Sequence, residues 1–460
     1  MVRLFKVFIP VVTLTLLASE TLLLTGCFLI AAYLGLPDAN LFLSTNGVFD
    51  IALVVVTMVV GLYLNDLYSD VQVKSKVLLV QQLCFVTGSA FLLEALVSYL
   101  NHNLRMPLHV MLPGGAFALV ASYFWRLFFS AYALRAMGGE RLLLVGGSPL
   151  LQSIAHYVAD HPAKGFCIIG FVDDVEQPEA VAGAKHLGRM EVLREIVSAT
   201  RPARIVVGML ERRNRVPVAE LLDLRFSGNI VEEAATAYER LAGRVPIREL
   251  RPSQLIYSGD TVRIRHALLY QNTINRAIAV VGLVLSSPLM LLTALLVRLT
   301  SAGPVLYRQV RVGLDGKPFT LFKFRSMRVD AEAGTGAVWA VKDDPRVTPL
   351  GRLIRKVRLD ELPQLFNVLK GEMSVVGPRP ERPEFVQTLV EQIPYYRQRH
   401  AVRPGITGWA QINYKYGDTF EDTITKLEYD LYYIKHISFS LDMYIIFHTL
   451  KAMLLSRGSQ

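Results

Sequence analysis

The sequence predicts an α/β multidomain membrane protein in three parts. These are a four-helix transmembrane bundle (1–135), a Rossmann-like parallel-sheet domain (136–250) and an α/β catalytic domain (271–460) with a re-entrant membrane helix (271–299). Residues 251–270 read as a linker. Three observations carry this division. Apolar runs crowd the first third of the chain. A β-α-β-α-β alternation follows, the pattern of a parallel sheet. The last part opens on one more apolar run and continues into a dense Arg and Lys stretch around two adjacent acids, Asp360 and Glu361.

Four spans are expected in the bundle: Val7 to Leu34, Val48 to Leu64, Val77 to Leu100 and Leu108 to Phe129. Each can cross a hydrocarbon layer of roughly 30 Å, the second only just. The basic start and apolar run resemble a signal peptide, but the run is long and no small-x-small cleavage site stands out. A retained first membrane helix is expected. Arg3 and Lys6 precede the first span, Lys74 and Lys76 lie in the second loop, and Arg126, Arg135 and Arg141 are read as following the fourth. This bias favours the cytoplasm for both ends of the bundle. Glu20 and Glu94 fall inside spans, where an ionisable group is costly. Neither helix has a graded polar track, so a polar contact between helices is expected of them.

The formal net charge is +10 with 52% hydrophobic residues and a mean hydropathy of +0.35. A basic chain with membrane helices suits anionic lipid or phosphorylated ligands. It lacks the aromatic and basic spacing of a nucleic-acid module. Three cysteines, Cys27, Cys84 and Cys167, make neither a disulfide framework nor a thiolate metal cluster.

In the second part, a strand from Arg141 to Val145 ends in Gly146-Gly147-Ser148, and a helix from Leu150 to Ala159 follows. The strand GFCIIGFVDD ends in Asp173 and Asp174. A helix from Met190 to Ser198, the strand ARIVVGM, a helix from Pro217 to Asn229 and a strand at Arg244 to Ile247 complete the domain. A dinucleotide fingerprint needs G-x-G-x-x-G here. VGGSPLL has no third glycine, so a scaffold is expected, with nucleotide binding at Gly146 and Asp173 left open.

Ala277 to Val297 is apolar, flanked by Arg276 and Arg298, and interrupted by Ser286-Ser287-Pro288. Proline removes a helical donor, so a break or bend is expected at Ser287 and Pro288. Arg298, Arg308, Arg311 and Lys317 follow closely and favour the cytoplasm, as does the domain before Arg276. Both flanks on one side mean a re-entrant helix.

Beyond it, Lys323 and Arg325 share one face of a strand-like stretch, LFKFRSMR. Basic residues outnumber acids from Arg298 to Glu361, which suits a phosphorylated ligand as well as a solvated surface. Asp360 reads as the N-cap of a helix from Glu361 to Lys370 that Gly371 ends. The helix end and nearby guanidiniums then favour an ionised Asp360, the form that attacks phosphorus. Glu361 is placed to bind metal or to position incoming groups. The corner Pro378-Arg379-Pro380 follows within GPRPERPEF.

These blocks, with RPGITGWAQINY, resemble the bacterial sugar transferases of the monotopic phosphoglycosyl transferase superfamily. The resemblance covers about Gln271 to the C-terminus, and the order of parts resembles the large exopolysaccharide-type members. It implies a re-entrant helix with a Ser-Pro break, here Ser287-Pro288. It implies transfer of a sugar 1-phosphate from a UDP-sugar to polyprenyl phosphate, with Mg²⁺. The family's Asp-Glu dyad falls on Asp360 and Glu361, which serve as catalytic pair and metal ligands. Lys323, Arg355 and Arg379 match its phosphate-binding residues, and Arg325 is taken with them. The implied partners are the lipid bilayer and polysaccharide assembly proteins, at the bacterial inner membrane with the catalytic domain in the cytoplasm; the oligomeric state is not read from the sequence, though four spans and an extra domain offer surface for a homodimer. Two other readings stand beside this one. A nucleotide-sugar dehydratase or epimerase needs a working glycine fingerprint and Tyr-x-x-x-Lys. A non-catalytic scaffold or regulator of polysaccharide assembly would have no use for the intact dyad.

Overall fold

The computed structural model describes residues 2–4, 7–9, 11–68, 73, 75–101, 106–133, 139–174, 184–209, 217–250, 252, 261–329, 331, 344–414 and 419–454. The chain divides between Glu232 and Glu233 into two compact units.

The first unit contains the long apolar helices α1 (Val11–Gly35), α2 (Val48–Leu64), α3 (Lys76–Leu100) and α4 (Leu108–Phe128). The first starts later than expected, because Val7–Ile9 is a three-residue strand. The second, expected to be barely long enough, gains length from a helical stretch starting at Ala39, so the apolar segment reaches 26 residues. One stripe of each helix is buried, among them Leu24, Phe28, Val54, Leu83 and Val110. The opposite stripes leave residues such as Leu22, Val56 and Leu92 exposed, as lipid-facing helices require.

Glu20 answers to Arg126. Its Oε2 accepts from Nη2 at 2.8 Å, and Oε1 lies 2.7 Å from Nε. Arg126 Nη1 also donates to the Leu67 carbonyl at 2.7 Å. The expected contact between helices is thus an ion pair between α1 and α4. It also corrects the reading of Arg126 as following the fourth span, because Arg126 lies inside α4 and is 3% exposed. Glu94 Oε1 accepts from the Met106 amide at 3.3 Å.

The sheet of the first unit has strands β1 (Glu140–Val145), β2 (Phe166–Val172), β3 (His186–Gly188), β4 (Arg204–Val207) and β5 (Val231–Glu233) in the order β3-β2-β1-β4-β5. The pairs of β1 with β2, β1 with β4 and β2 with β3 are parallel. Leu142 to Val145 are fully buried, as expected of a strand covered on both faces. Helices α5 (Pro149–Asp160), α6 (Leu193–Thr200) and α7 (Val218–Phe226) supply the crossovers. Gly146 has φ +101°, and a Cβ there would sit 2.3 Å from the Gly208 carbonyl oxygen. Close packing of two strand ends therefore accounts for this glycine. Asp173 and Asp174 are also engaged, Asp173 Oδ1 by the Asp174 amide and Asp174 Oδ1 by the Met190 amide.

The expected closing strand at Arg244 to Ile247 is not one. The sheet ends at β5, and the chain continues into α8 (Ala234–Ala242) and a 3-10 turn at Ile247–Glu249. Val245, Ile247 and Leu250 join a core with Val376, Trp409, Leu431 and Ile445. Residues 234–250, expected in the Rossmann-like domain, therefore pack with the C-terminal unit.

In that unit, α9 (Thr261–Thr300) takes in 261–270, expected as linker. It stays helical through Pro288, so the expected break is absent there. Pro288 has no N–H for the Val284 carbonyl, and Ser287 Oγ donates to that oxygen at 2.8 Å. Ser286 Oγ donates to the Gly282 carbonyl at 2.6 Å. The hydroxyls keep the turn helical. Strands β6 (Leu306–Val312) and β7 (Pro318–Phe324) form an antiparallel hairpin. Helices α10 (Pro349–Lys356) and α11 (Gln364–Lys370) follow. Next come β8 (Ser374–Val376), α12 (Pro383–Gln392), β9 (Gly405–Thr407), α13 (Trp409–Asn413), α14 (Phe420–His436) and α15 (Phe439–Leu454).

Candidate active site

The dyad stands on a tight turn. Arg358 adopts a left-handed backbone (φ 55°, ψ 24°), and Leu359–Glu361 is a 3-10 turn. This corrects the expected helix from Glu361. Pro363 delays the α-helix, so α11 starts at Gln364 and Asp360 is not its N-cap. Gly371 does end it, with φ 80°. A left-handed arginine costs roughly 1–2 kcal/mol, and such strain clusters at functional sites.

Asp360 and Glu361 differ sharply despite adjacency. Lys323 Nζ and Arg379 Nη2 each lie 3.4 Å from Glu361 Oε1, and Arg358 Nη1 lies 3.5 Å from Oε2. Asp360 is 8% exposed, and its carboxylate makes no hydrogen bond or ion pair with another described residue. Burial is the strongest influence on both acids and favours the neutral form. For Glu361 the cations Lys323, Arg379 and Arg358 outweigh it and hold the carboxyl below its ordinary range. For Asp360 burial wins. The pull of Lys323 is offset by the like charge of Glu361, and the carboxyl is raised despite Arg355 and Arg379. The expected stabilisation of ionised Asp360 by a helix end is therefore corrected in sign. The pair follows the rule for adjacent like charges, which are pushed apart.

Lys323 reaches the dyad from β7, and burial lowers its ammonium pKa. Arg355 comes from α10, with Nε donating to Ser326 Oγ at 2.8 Å. Thr348 caps α10 by accepting from the Gly351 amide at 2.9 Å. Arg379 is aimed by its corner. The Pro378 carbonyl takes the Gly405 amide, the Arg379 carbonyl takes Arg399 Nη2, and the Pro380 carbonyl takes Arg311 Nη1. Strands β8 and β9 pair in parallel immediately before it, Val376 opposite Thr407. A Cβ on Gly405 would sit 2.1 Å from the Gly377 nitrogen, so only glycine lets these strands meet. The GPRP and RPGITGW blocks thus build one corner.

Arg325 has a different task. Its Nη2 donates to the Ser301 carbonyl and hydroxyl at 2.6 and 2.7 Å, and Nη1 to the Ala302 carbonyl at 2.9 Å. It caps the C-terminal end of α9. The structure thus gathers Lys323, Arg355 and Arg379 around the dyad and ties Arg325 to α9. Sequence reasoning missed Arg358, because nothing in RKVRLDE marks a left-handed arginine. It also missed the buried pair Arg399–Asp430 (2.9 Å) behind the corner.

All of these groups line one cleft of about 1460 Å³. Among the described residues, fourteen Lys and Arg line it against five Asp and Glu, so it attracts anions.

Residues 266–456 match the family described as bacterial sugar transferase. The UDP-glucose:undecaprenyl-phosphate glucose-1-phosphate transferase of Xanthomonas campestris pv. campestris is 35% identical over 351 residues, 72% of this chain and 70% of that protein. The chain belongs to the bacterial sugar transferase family. The UDP-N-acetylgalactosamine-undecaprenyl-phosphate N-acetylgalactosaminephosphotransferase of Aeromonas hydrophila is 46% identical over 222 residues, 48% of this chain and 52% of its own. The match thus spans about half the length of that relative. An exopolysaccharide production protein of Rhizobium leguminosarum bv. phaseoli is 44% identical over 182 residues, 38% of this chain but 90% of its own. The dyad, the corner and the cation cluster of this sugar transferase all lie inside the family match.

Among the described residues no three His, Cys, Asp or Glu side chains form a metal-binding group. Mg²⁺ is commonly held by one or two carboxylates together with substrate phosphates. Two adjacent acids in an anion-attracting cleft fit that mode.

Proposed function

We propose that this sugar transferase moves a sugar 1-phosphate from a UDP-sugar to polyprenyl (undecaprenyl) phosphate through a phosphosugar held on Asp360. It does so at the bacterial inner membrane, with the catalytic unit in the cytoplasm, as the first membrane step of exopolysaccharide or O-antigen assembly. The observation that carries this reading is the division of labour in the dyad. Asp360 is buried with no hydrogen bond or ion pair to another described residue, while Glu361 takes the cations. A carboxylate whose burial raises its pKa is the more basic nucleophile once ionised.

Asp360 attacks the phosphorus that bears the sugar. An acyl phosphate bond forms, the diphosphate bridge breaks and UMP departs. An oxygen of polyprenyl phosphate then attacks the same phosphorus, and Asp360 is regenerated as the carboxylate. Lys323, Arg355 and Arg379 neutralise charge on the phosphoryl oxygens. Asp360 and Glu361 would hold Mg²⁺, which when bound withdraws charge from the diphosphate.

The re-entrant reading of α9 is supported by what the two flanks of its apolar stretch touch. Ala279 packs with Leu321, and Val297 packs with Phe324. With its middle and its C-terminal end both resting on one hairpin, α9 keeps both flanks of its apolar stretch on one side of the bilayer, while Val284, Leu285, Leu291 and Leu292 remain exposed for lipid. The cleft then lies where a lipid phosphate lies, which lowers the cost of uniting a soluble and a membrane-bound substrate.

The test is UMP release from a matrix of UDP-sugars with undecaprenyl phosphate. Release with one or a few sugars, dependent on the lipid for turnover, is expected. Absence of release across the matrix would discard the reading in favour of a non-catalytic role.

A further inference from the structure

The charge around the dyad bears on how a metal reaches it. Two acids, Asp360 and Glu361, face four cations, Lys323, Arg355, Arg358 and Arg379, all on the wall of one cleft. Three of the cations stand within 3.5 Å of Glu361, covering both its oxygens. These separations are longer than the usual N–H···O range of about 2.7–3.2 Å. They are ion pairs held by proximity, and partners so held exchange readily. The immediate surroundings are net positive, so they repel a dication. A diphosphate reverses that sign and offers Lys323 and Arg379 better partners than Glu361, because two phosphates present many charged oxygens.

Resting on the UDP-sugar reading, we infer that the divalent metal enters this site only with the diphosphate: the cation-saturated Glu361 excludes it beforehand. Arg358 is the positioning residue in this exchange. Its guanidinium is on Oε2, opposite the oxygen shared by Lys323 and Arg379, so it keeps Glu361 oriented when those two change partners. Its left-handed backbone fixes the turn that makes this approach.

The probe is Mn²⁺, read by the electron paramagnetic resonance signal of the free ion, with purified full-length protein in detergent. Protein alone should leave the free-ion signal at its buffer value. Protein with UDP should remove Mn²⁺ beyond what UDP removes by itself. Arg358→Asn keeps a residue that tolerates the left-handed conformation. It should tighten Mn²⁺ binding without UDP about tenfold, the effect of removing a unit charge about 6 Å from a dication in a water-like dielectric. Wild-type protein that binds Mn²⁺ equally well with and without UDP overturns the inference while leaving UMP release intact. An unchanged affinity in a folded Arg358→Asn variant removes Arg358 from it. Should that variant not fold, the wild-type comparison still decides. Failure to bind UDP even with Mn²⁺ ends the nucleotide reading itself, and the inference with it.

Discussion

Arg379 owes its aim to three carbonyls in a row, Pro378 to Pro380, each held by a separate donor. Proline stiffness, visible in the sequence, is therefore only part of the cause. The guanidinium fork matches paired phosphate oxygens, and an ammonium does not. Arg379→Lys should lower kcat/KM by about a hundredfold or more with little change in melting temperature, since losing a preorganised donor commonly costs about 2.7–4 kcal/mol. Wild-type kinetics in the Lys variant would mark Arg379 as a surface residue. Arg325 should behave in the opposite way. Hydrogen bonds to charged groups are worth roughly 1.5–3 kcal/mol each, so Arg325→Gln should lower stability clearly, and activity should follow the folded fraction. Sequence pattern put Lys323 and Arg325 on one face and gave them one role. It could not reveal that the end of α9 lies beside only the second. The DE pair was legible, and the opposite protonation tendencies of its members were not, because burial and the three-cation cluster exist only in the fold.

At the scale of elements, the apolar runs announced the four long helices of the first unit to within a few residues, whereas α9 begins ten residues before the expected 271. Their period and length are local properties. Helix α9 does not break at Pro288, because a hydroxyl one residue away can replace the missing backbone donor. Ser287→Ala should therefore leave Val284 O unpaired and destabilise the helix by about 1 kcal/mol. Replacing both Ser287 and Pro288 with Leu should restore the regular ladder and lower activity by changing how the helix meets lipid. The topology has its own test. With the native cysteines removed, Lys317→Cys places a thiol on an exposed turn. It should label only after cells are opened, whereas Asn40→Cys should label from outside. Labelling of Lys317→Cys in intact cells by a membrane-impermeant reagent would mean that α9 crosses the bilayer. The glycine turn of the Rossmann-like sheet was legible as an incomplete fingerprint. Why glycine stands there was not, since the Gly208 carbonyl it meets is 62 residues away in the chain.

For the whole molecule, the boundary at Glu232 and Glu233 places residues 234–250 with the C-terminal unit. Trp409 Nε1 donates to the Gly243 carbonyl at 2.7 Å, Lys435 pairs with Glu239 at 2.8 Å, and the Val245 amide donates to the Glu428 carbonyl at 3.1 Å. The sequence hid this because a helix after a strand continues the βα rhythm until its partners are known. A fragment from Ala234 should therefore fold and melt near the full-length catalytic unit, and one from Arg251 should melt at clearly lower temperature. Equal melting would show that the segment contributes little. The central claim, that Asp360 carries the phosphosugar, is tested most directly by intact-mass spectrometry. Wild-type protein is given its UDP-sugar and Mg²⁺ without lipid acceptor, beside Asp360→Asn treated alike. The account predicts one added hexose- or acetamidohexose-phosphate on the wild type, lost when polyprenyl phosphate is added, and none on the folded variant. An unmodified wild type that still turns over, or normal turnover by Asp360→Asn, would contradict it.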